Sequence, residues 1–445
     1  MLSALYKAHF KKNINLAVPV MLSQLGHVMV GVADSIMVGQ LGAVPLAAVS
    51  LGNSIFAIIL MFGIGMSMSA TPLVAAADGE NNYRKSAKVF KHGLYINIVT
   101  GVLLFLLAFA GAPVLFYLNQ PEAVAAMTVP YLRIIAMSLI PFMVFQSFKQ
   151  FAEGLSFTKN AMYITIAANL LNVGLNYAMI YGKFGFEPMG LIGAGWATFI
   201  SRVLMAIAMA IYVIKNTKYA HYLKGFRIRG FSKKLAIRMV KLGFPTGMQF
   251  VFEVGAFSSA AIMIGWLGAQ QLAAHQIAIN LASISYMMAT GIAAAATVRV
   301  GNQLGKNDIP NLRIAGFTSF IMGIGFMTIT CLIFILGKSF FPGLYIKDDE
   351  VITIASSLLV IAAFFQISDG IQVVGLGALR GLEDVTVPTV IAVIAYWIIG
   401  LPVGYFLCFE LGLGTRGIWF GLLIGLSLAA VMLSYRFNML TKKLL

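Results

Sequence analysis

One run of residues sets the class of fold. From Gly243 to Leu267 the chain reads GFPTGMQFVFEVGAFSSAAIMIGWL, and Glu253 is its one charged side chain. At about 1.5 Å per residue, such a run is long enough to cross a hydrocarbon layer about 30 Å thick as a helix. Similar runs recur from end to end, and helices satisfy their own backbone in lipid. A β-barrel would instead alternate apolar and polar residues in strands of about ten. The reading is an all-α polytopic membrane protein with twelve transmembrane helices. The spans are expected at roughly 14–39, 46–74, 94–118, 128–150, 161–181, 191–214, 243–267, 272–298, 314–338, 354–379, 388–409 and 416–437.

Charge agrees with this class. Only 10% of the residues are charged, against about 25% in soluble proteins. The net charge of +16 does not point to nucleic acid, because the basic residues sit mostly between spans. Lys7, Lys11 and Lys12 precede the first span; Arg84, Lys85, Lys88 and Lys91 follow the second; nine Lys and Arg lie between Lys215 and Lys241. These segments share one side of the membrane if the span count is even and both termini are cytoplasmic. The first three lysines lead into a full-length span and not a short apolar region, so no cleavable signal is expected. Cys331 and Cys408 lie in apolar spans and read as packing, not as a disulfide or metal ligands.

The chain is also duplicated. Met37–Ala48 reads MVGQLGAVPLAA and Met263–Ala274 reads MIGWLGAQQLAA, identical at eight of twelve positions and 226 residues apart. The same offset pairs Pro19 with Pro245, Gly65 with Gly291, Thr71 with Thr297 and Gly79 with Gly305. Six spans per half is an even number, so both halves enter from the same side and the repeat is parallel. The expected organisation is an N-terminal six-helix bundle over 1–214, a basic cytoplasmic linker over 215–240 and a C-terminal six-helix bundle over 241–445. Two bundles rocking about a central cleft are the architecture of many transporters.

Three acids fall inside spans: Asp34, Glu253 and Asp369. A carboxylate at mid-membrane costs about 2.5–3.5 kcal/mol, so such residues default to ion or substrate sites. Glu253 and Asp369 each lie about ten residues, or about 15 Å, from the inner end of their span. Both belong to the second half, and two nearby carboxylates suit a proton or Na+ site. Asp34 lies toward the outer end of span 1. Asn172 and Asn176 share a face of span 5 at that depth, and Thr198 has similar depth in span 6. An acid, two amides and a hydroxyl offer oxygen ligands to a hard cation, although Asn and Thr also serve as interhelical hydrogen-bond partners. His27 occupies the repeat position of Glu253, and His275 sits in span 8; both read first as structural. Arg202, one turn after Thr198, either snorkels or pairs with Asp34. Pro19 and Pro245 are candidate kinks. The chain has 24 Met and 33 Phe, which suit an adaptable apolar cavity as well as lipid-facing packing. No P-loop, HExxH or GxSxG pattern occurs, so the chain reads as neither ATP-driven nor an enzyme.

With these residues in place, the chain resembles the multidrug and toxic compound extrusion family, and within it the bacterial NorM-like branch. The resemblance runs the whole length. It rests on LAVPVMLSQ and VADSIMVGQLG in span 1, GFPTGMQFVFEV in span 7, AAHQIAIN followed by TVRVGNQLG, and QISDGIQVVGLGALRG in span 10. It implies two six-helix bundles around a V-shaped cavity, acting as a monomer in the bacterial inner membrane. It implies export of cationic amphipathic drugs in exchange for Na+ or H+, with no other cofactor. Glu253 and Asp369 look like the C-lobe cation and drug site of this branch. Asp34, Asn172, Asn176 and Thr198 look like the N-lobe cation site, which leaves Na+ possible at Asp34, Glu253 and Asp369. Pro19 looks like the proline at which span 1 bends. There is one departure. The family motif has Tyr four residues before the span-10 Asp, and this chain has Phe365. That removes a hydroxyl near Asp369 and leaves H+ coupling open beside Na+. The alternative is a flippase or exporter of a lipid-linked or other anionic metabolite. It predicts a basic cavity, whereas only Arg133 and Arg202 are expected within spans.

Overall fold

The computed structural model describes residues 2–117, 121–224 and 230–445. Among them, twelve helices are long and apolar enough to span a membrane. They are α1 Tyr6–Gly39, α2 Ala43–Gly79, α3 Tyr83–Tyr117, α4 Glu122–Gly154, α5 Thr158–Tyr181 and α6 Gly190–Lys215. The second six are α7 Lys233–Gly265, α8 Ala269–Gly305, α9 Ile309–Leu336, α10 Asp349–Gly381, α11 Thr386–Glu410 and α12 Thr415–Lys443. The twelve expected spans are all present, but four are not continuous α-helices; α3 ends in a 3-10 segment, Ala112–Tyr117. In α2 the Ser67 and Ser69 hydroxyls donate to Ile64 O (2.6 Å) and Met66 O (2.9 Å) where the helix breaks. In α4 the break falls at Ser138, whose hydroxyl donates to Ile135 O at 2.5 Å. Such side-chain bonds compete with the helical ladder. In α11, Ile394–Gly400 and Phe406–Glu410 are π-helical.

The contacts divide the chain into two compact units: Leu22–Gly247, and Met1–Met21 with Met248–Leu445. Both divisions fall inside helices, α1 and α7, and they are 226 residues apart, as the repeat is. Each follows a proline by two residues, Pro19 and Pro245. A proline there removes a helical hydrogen bond and opens the ladder at that turn. The first turns of α1 therefore pack within the second unit, and the first turns of α7 within the first. The described residues of the 215–240 segment, 215–224 and 230–240, pack with the first unit; Arg227 and Arg229 of that basic run lie outside the described residues.

Within each unit the duplication extends to backbone and packing. Gly42 and Gly268 turn with φ of 125° and 120°, and Asn81 and Asn307 with φ of 53° and 57°. Asn82 Oδ1 accepts from Lys85 N at 2.9 Å, and Asp308 Oδ1 accepts from Asn311 N at 3.2 Å. At α4 and α10 the offset is 227, as their starts at Glu122 and Asp349 show. Thr71 Oγ1 lies 3.4 Å from Gln150 O, and Thr297 Oγ1 donates to Gly377 O at 2.8 Å. In the first unit α4 packs on α2, α3 and α6; in the second, α10 packs on α8, α9 and α12. One polar network breaks the symmetry. Asn13 Nδ2 donates to Ser319 Oγ (2.9 Å), and His9 lies between Arg299 Nη2 (3.1 Å) and Asn311 Oδ1 (3.2 Å). The first-unit counterparts of Asn13 and Ser319 are Met239 and Gly93, which pack without polar atoms.

Close backbone approach is also repeated. A Cβ on Gly65 of α2 would lie 2.5 Å from Gly247 Cα, and one on Gly291 of α8 would lie 2.8 Å from Met21 N. Backbone cannot yield as a flexible side chain does, so overpacking there costs about 1–3 kcal/mol. Gly65→Ala is expected to lower the unfolding midpoint of the detergent-solubilised protein. Gly174→Ala, which meets nothing within 4 Å, is expected to leave it unchanged or slightly raised. Equal midpoints for the two variants would refute the close approach.

Candidate functional site

In the second unit, four helices bring polar groups to one place inside an apolar surround. Glu253 of α7 and Asp369 of α10 are both buried, at 5% and 3% exposure. They lie within electrostatic reach of one another. Gln249 sits one turn before Glu253 on the same face of α7. Gln249, Tyr286 of α8 and Tyr396 of α11 surround the Glu253 carboxylate. Tyr396 is fully buried and its hydroxyl donates to Gln372 Oε1 of α10 at 2.9 Å. It lies in the first π-helical turn of α11, and such insertions often mark functional sites. The next residue, Trp397, donates from Nε1 to Phe252 O at 2.9 Å and so ties α11 to the turn that carries Glu253. Glu253 Oε2 is buried without a hydrogen-bond partner. Two carboxylates flanked by phenol and amide oxygens can share a proton or ligate a small hard cation.

Phe365 lies one turn before Asp369, buried at 3% exposure against Phe257 and Trp419, with ring centroids 6.1 and 5.8 Å apart. The position that the family motif gives to a hydroxyl is here an apolar wall. The hydroxyls near the carboxylates come from the half-buried Tyr286 and the fully buried Tyr396, on other helices.

In the first unit, the four residues singled out from the sequence form one chain of hydrogen bonds. Asn176 Nδ2 donates to Asp34 Oδ1 and to Asn172 Oδ1 (3.2 Å), and Asn172 Nδ2 reaches Thr198 Oγ1 at 3.5 Å. Asp34, Asn172 and Asn176 are buried, with Asn176 at 0% exposure. Asn176 Oδ1 is left with no partner. A buried amide oxygen costs free energy while unpaired, so a proton donor or cation beside Asp34 would be held by this face.

Arg202 resolves between its two readings in favour of neither. Its Nη1 donates to Ser138 Oγ at 2.8 Å, and its guanidinium lies over the rings of Phe56 and Phe142 at 5.0 and 4.9 Å. It remains within the electrostatic reach of Asp34 without pairing with it. His275 Nδ1 accepts from Trp419 Nε1 at 3.2 Å, a satisfied core histidine. His27 lies in the field of Lys149 and Arg202.

The repeat shows how the two sites differ. The first-half counterpart of Glu253 is His27 (offset 226), and that of Asp369 is Phe142 (offset 227). The second-half counterpart of Asp34 is Ala260, fully buried. Each half therefore carries acids where the other has none.

Several charged groups lie where the sequence did not place them. Glu153, expected at a span end, is buried in α4 and 3.8 Å from Lys149, with both side chains 7% exposed. Arg299 and Arg380, expected in connections, lie within α8 and α10 at 8% and 7% exposure. Arg380 is within electrostatic reach of Glu253 and Tyr286. Helices extending past the apolar run carry these residues inside, so the described helices hold buried cations at Lys149, Arg299 and Arg380 besides the half-buried Arg133 and Arg202. Sequence reasoning also missed Tyr286, Tyr396, Gln249 and Gln372. Gln249 and Gln372 had a signal, since each lies within one turn of an acid on its helix. The tyrosines had none.

Comparison with known proteins gives a consistent picture. The family model MatE matches residues 19–178 and 245–406, two segments whose starts are one repeat apart. The multidrug resistance protein NorM of Photobacterium profundum is 34% identical over 442 residues, covering 97% of this chain and 95% of that one. The NorM of Vibrio cholerae is 34% identical over 443 residues, covering 98% and 97%. The crystal structure of the eukaryotic MATE transporter AtDTX14 superposes with a TM-score of 0.88 over 99% of both chains. At 20% identity it shows the shared fold.

Proposed function

Because the chain belongs to the MatE family, we propose that it is a secondary active multidrug efflux antiporter, exporting cationic amphipathic compounds in exchange for Na+ or H+. Its NorM relatives are named for multidrug resistance. The observation that carries the reading is the pair Glu253 and Asp369, buried together within the apolar second unit. A cation from outside and a cationic drug from inside compete for that negative charge. Each ligand biases the two-state equilibrium through its own differential affinity. The membrane potential adds about 2.3 kcal/mol per charge per 100 mV. Asp34 and its amide chain form the second cation site, and Pro19 marks the turn at which α1 passes between the two units. The protein acts as a monomer in the bacterial inner membrane, with both termini cytoplasmic.

Drug efflux from proteoliposomes under an imposed Na+ gradient, and separately under an imposed pH gradient, tests the coupling. Efflux driven by Na+ alone means that these sites ligate metal despite Phe365. Efflux driven by pH alone makes Asp34, Glu253 and Asp369 proton carriers. Failure under both gradients with cationic dyes overturns the antiporter reading and favours an exporter of lipid-linked or other anionic compounds.

A further inference from the structure

The segment joining the two halves is docked on the first unit, and its docking leaves a basic groove. Tyr219 is fully buried among Phe151, Phe157 and Tyr212. Tyr222, in the short helix Ala220–Leu223, donates to Asp78 Oδ1 at 2.6 Å and stands edge-on to the Tyr83 ring at 5.0 Å. Burial, and then the hydrogen bond and charge of Asp78, push the Tyr222 hydroxyl up from its ordinary value, so it remains a donor. Farther along, Ser232 N donates to His92 Nε2 at 2.8 Å while His92 Nδ1 is 2.7 Å from Lys88 O, and Phe231 stacks on the imidazole at 4.9 Å.

Between this docked segment and the start of α3 lies an open groove of about 600 Å³. Arg84, His221 and Lys224 line it, and all three are exposed. Of the nearby acids, Glu80 is paired with Lys85 Nζ at 2.6 Å and Asp78 accepts from Tyr222 and keeps its charge, so Arg84, Lys85 and Lys224 outnumber the two carboxylates. The groove therefore presents a surplus of positive charge. About two turns farther along the same helix face, Lys91 lies over the Tyr95 ring at 6.0 Å beside Phe231. Tyr95 and Phe231 are 48% and 62% exposed, as aromatics at the boundary between lipid and water are. A cationic groove at the end of a membrane-spanning helix, with a second recess lined by interfacial aromatics farther along that helix, matches a ligand with an anionic head and an apolar tail.

We propose that the groove between the linker and α3, lined by Arg84, His221 and Lys224, binds the phosphodiester headgroup of an anionic phospholipid. Arg84 supplies the planar donor fork and Lys224 a second cation, while Tyr95 and Phe231 flank the path of the acyl chains. The site is distinct from the buried carboxylates, so it can fail while the antiporter reading stands, and the reverse.

The test is thermal unfolding of the full chain in a neutral detergent, titrated with phosphatidylglycerol, phosphatidylcholine or inorganic phosphate. This reads binding without transport and without regard to orientation in a bilayer. Phosphatidylglycerol is expected to raise the midpoint, and the other two are not. In the Arg84→Gln/Lys224→Gln variant the titration should shift to about 30-fold higher lipid, the change expected from losing two charges worth about 1 kcal/mol each. Both side chains are exposed, so the variant should fold. Lys442→Gln/Lys443→Gln removes the same charge from the exposed end of α12 and should titrate like the parent. An equal shift in both double variants would mean nonspecific attraction and overturn the site. Phosphate acting as well as the lipid would replace a lipid site with a free-anion site, and phosphatidylcholine acting as well would remove headgroup charge from the recognition.

Discussion

Proteoliposomes carrying Glu253→Gln or Asp369→Asn are expected to show drug efflux at the level of passive leak, while both variants insert and fold. Each substitution is nearly isosteric and keeps a hydrogen-bonding side chain within reach of its neighbours. What it removes is the negative charge that both ligands require. Folding should not suffer, because a neutral amide is cheaper than a carboxylate to place in an apolar unit. The two groups are in electrostatic contact, so their effects should not add. The double variant is expected to be no worse than either single one, the behaviour of residues acting as a unit. Binding of a cationic dye to the solubilised protein should weaken in parallel with efflux. Full efflux by either single variant would sink the assignment. Efflux lost with dye affinity intact would leave these acids a role in ion coupling and none in substrate binding.

How far the sequence reached follows from what each signal measures. Hydropathy is a sum along one dimension, so it located twelve apolar spans and said little about their hydrogen bonds. The breaks at Ser69 and Ser138 and the π-turns of α11 depend on which carbonyl a hydroxyl or amide finds, and no window of hydropathy records that. The acids were legible because a carboxylate in lipid is costly enough to stand out one residue at a time. Tyr286 and Tyr396 were not, because a tyrosine is equally at home in a core, at an interface or in a site. Only the fold decides which way its hydroxyl points. The four first-unit residues Asp34, Asn172, Asn176 and Thr198 were grouped by depth and helical face, and those are the properties that the hydrogen-bonded chain uses. Glu153, Arg299 and Arg380 were misplaced because span ends were drawn where the apolar run stops. Helices α4, α8 and α10 continue past that point and carry the charges inward. The repeat was read as a sequence offset, and the divisions after Met21 and Gly247 show it also governs where the two units part.

The first-unit site should fail differently from the second. Asp34→Asn is expected to reduce gradient-driven efflux to near the passive leak while leaving dye binding within about twofold of the parent, as for a site that does not hold the dye and acts independently. Asp34 is the terminal acceptor of the chain through Asn176 and Asn172 to Thr198. An amide in its place keeps one oxygen to accept from Asn176 but can no longer gain or lose a charge. Without that change the cation has no differential affinity for the two conformations at this site, and a ligand with equal affinity for both shifts nothing. Asn176→Leu should produce an intermediate defect. It leaves the Asp34 carboxylate in place and removes both its hydrogen bond and the unpartnered amide oxygen beside it. The decisive comparison is therefore between efflux and binding across Asp34→Asn, Asn176→Leu and Asp369→Asn. If Asp34→Asn loses dye binding as fully as Asp369→Asn does, the first-unit chain belongs to the substrate site. If all three lose efflux and Asp369→Asn alone loses binding, the two halves of the duplicated chain have divided the work. The first half then couples to the ion, and the second holds the ion and the drug in turn.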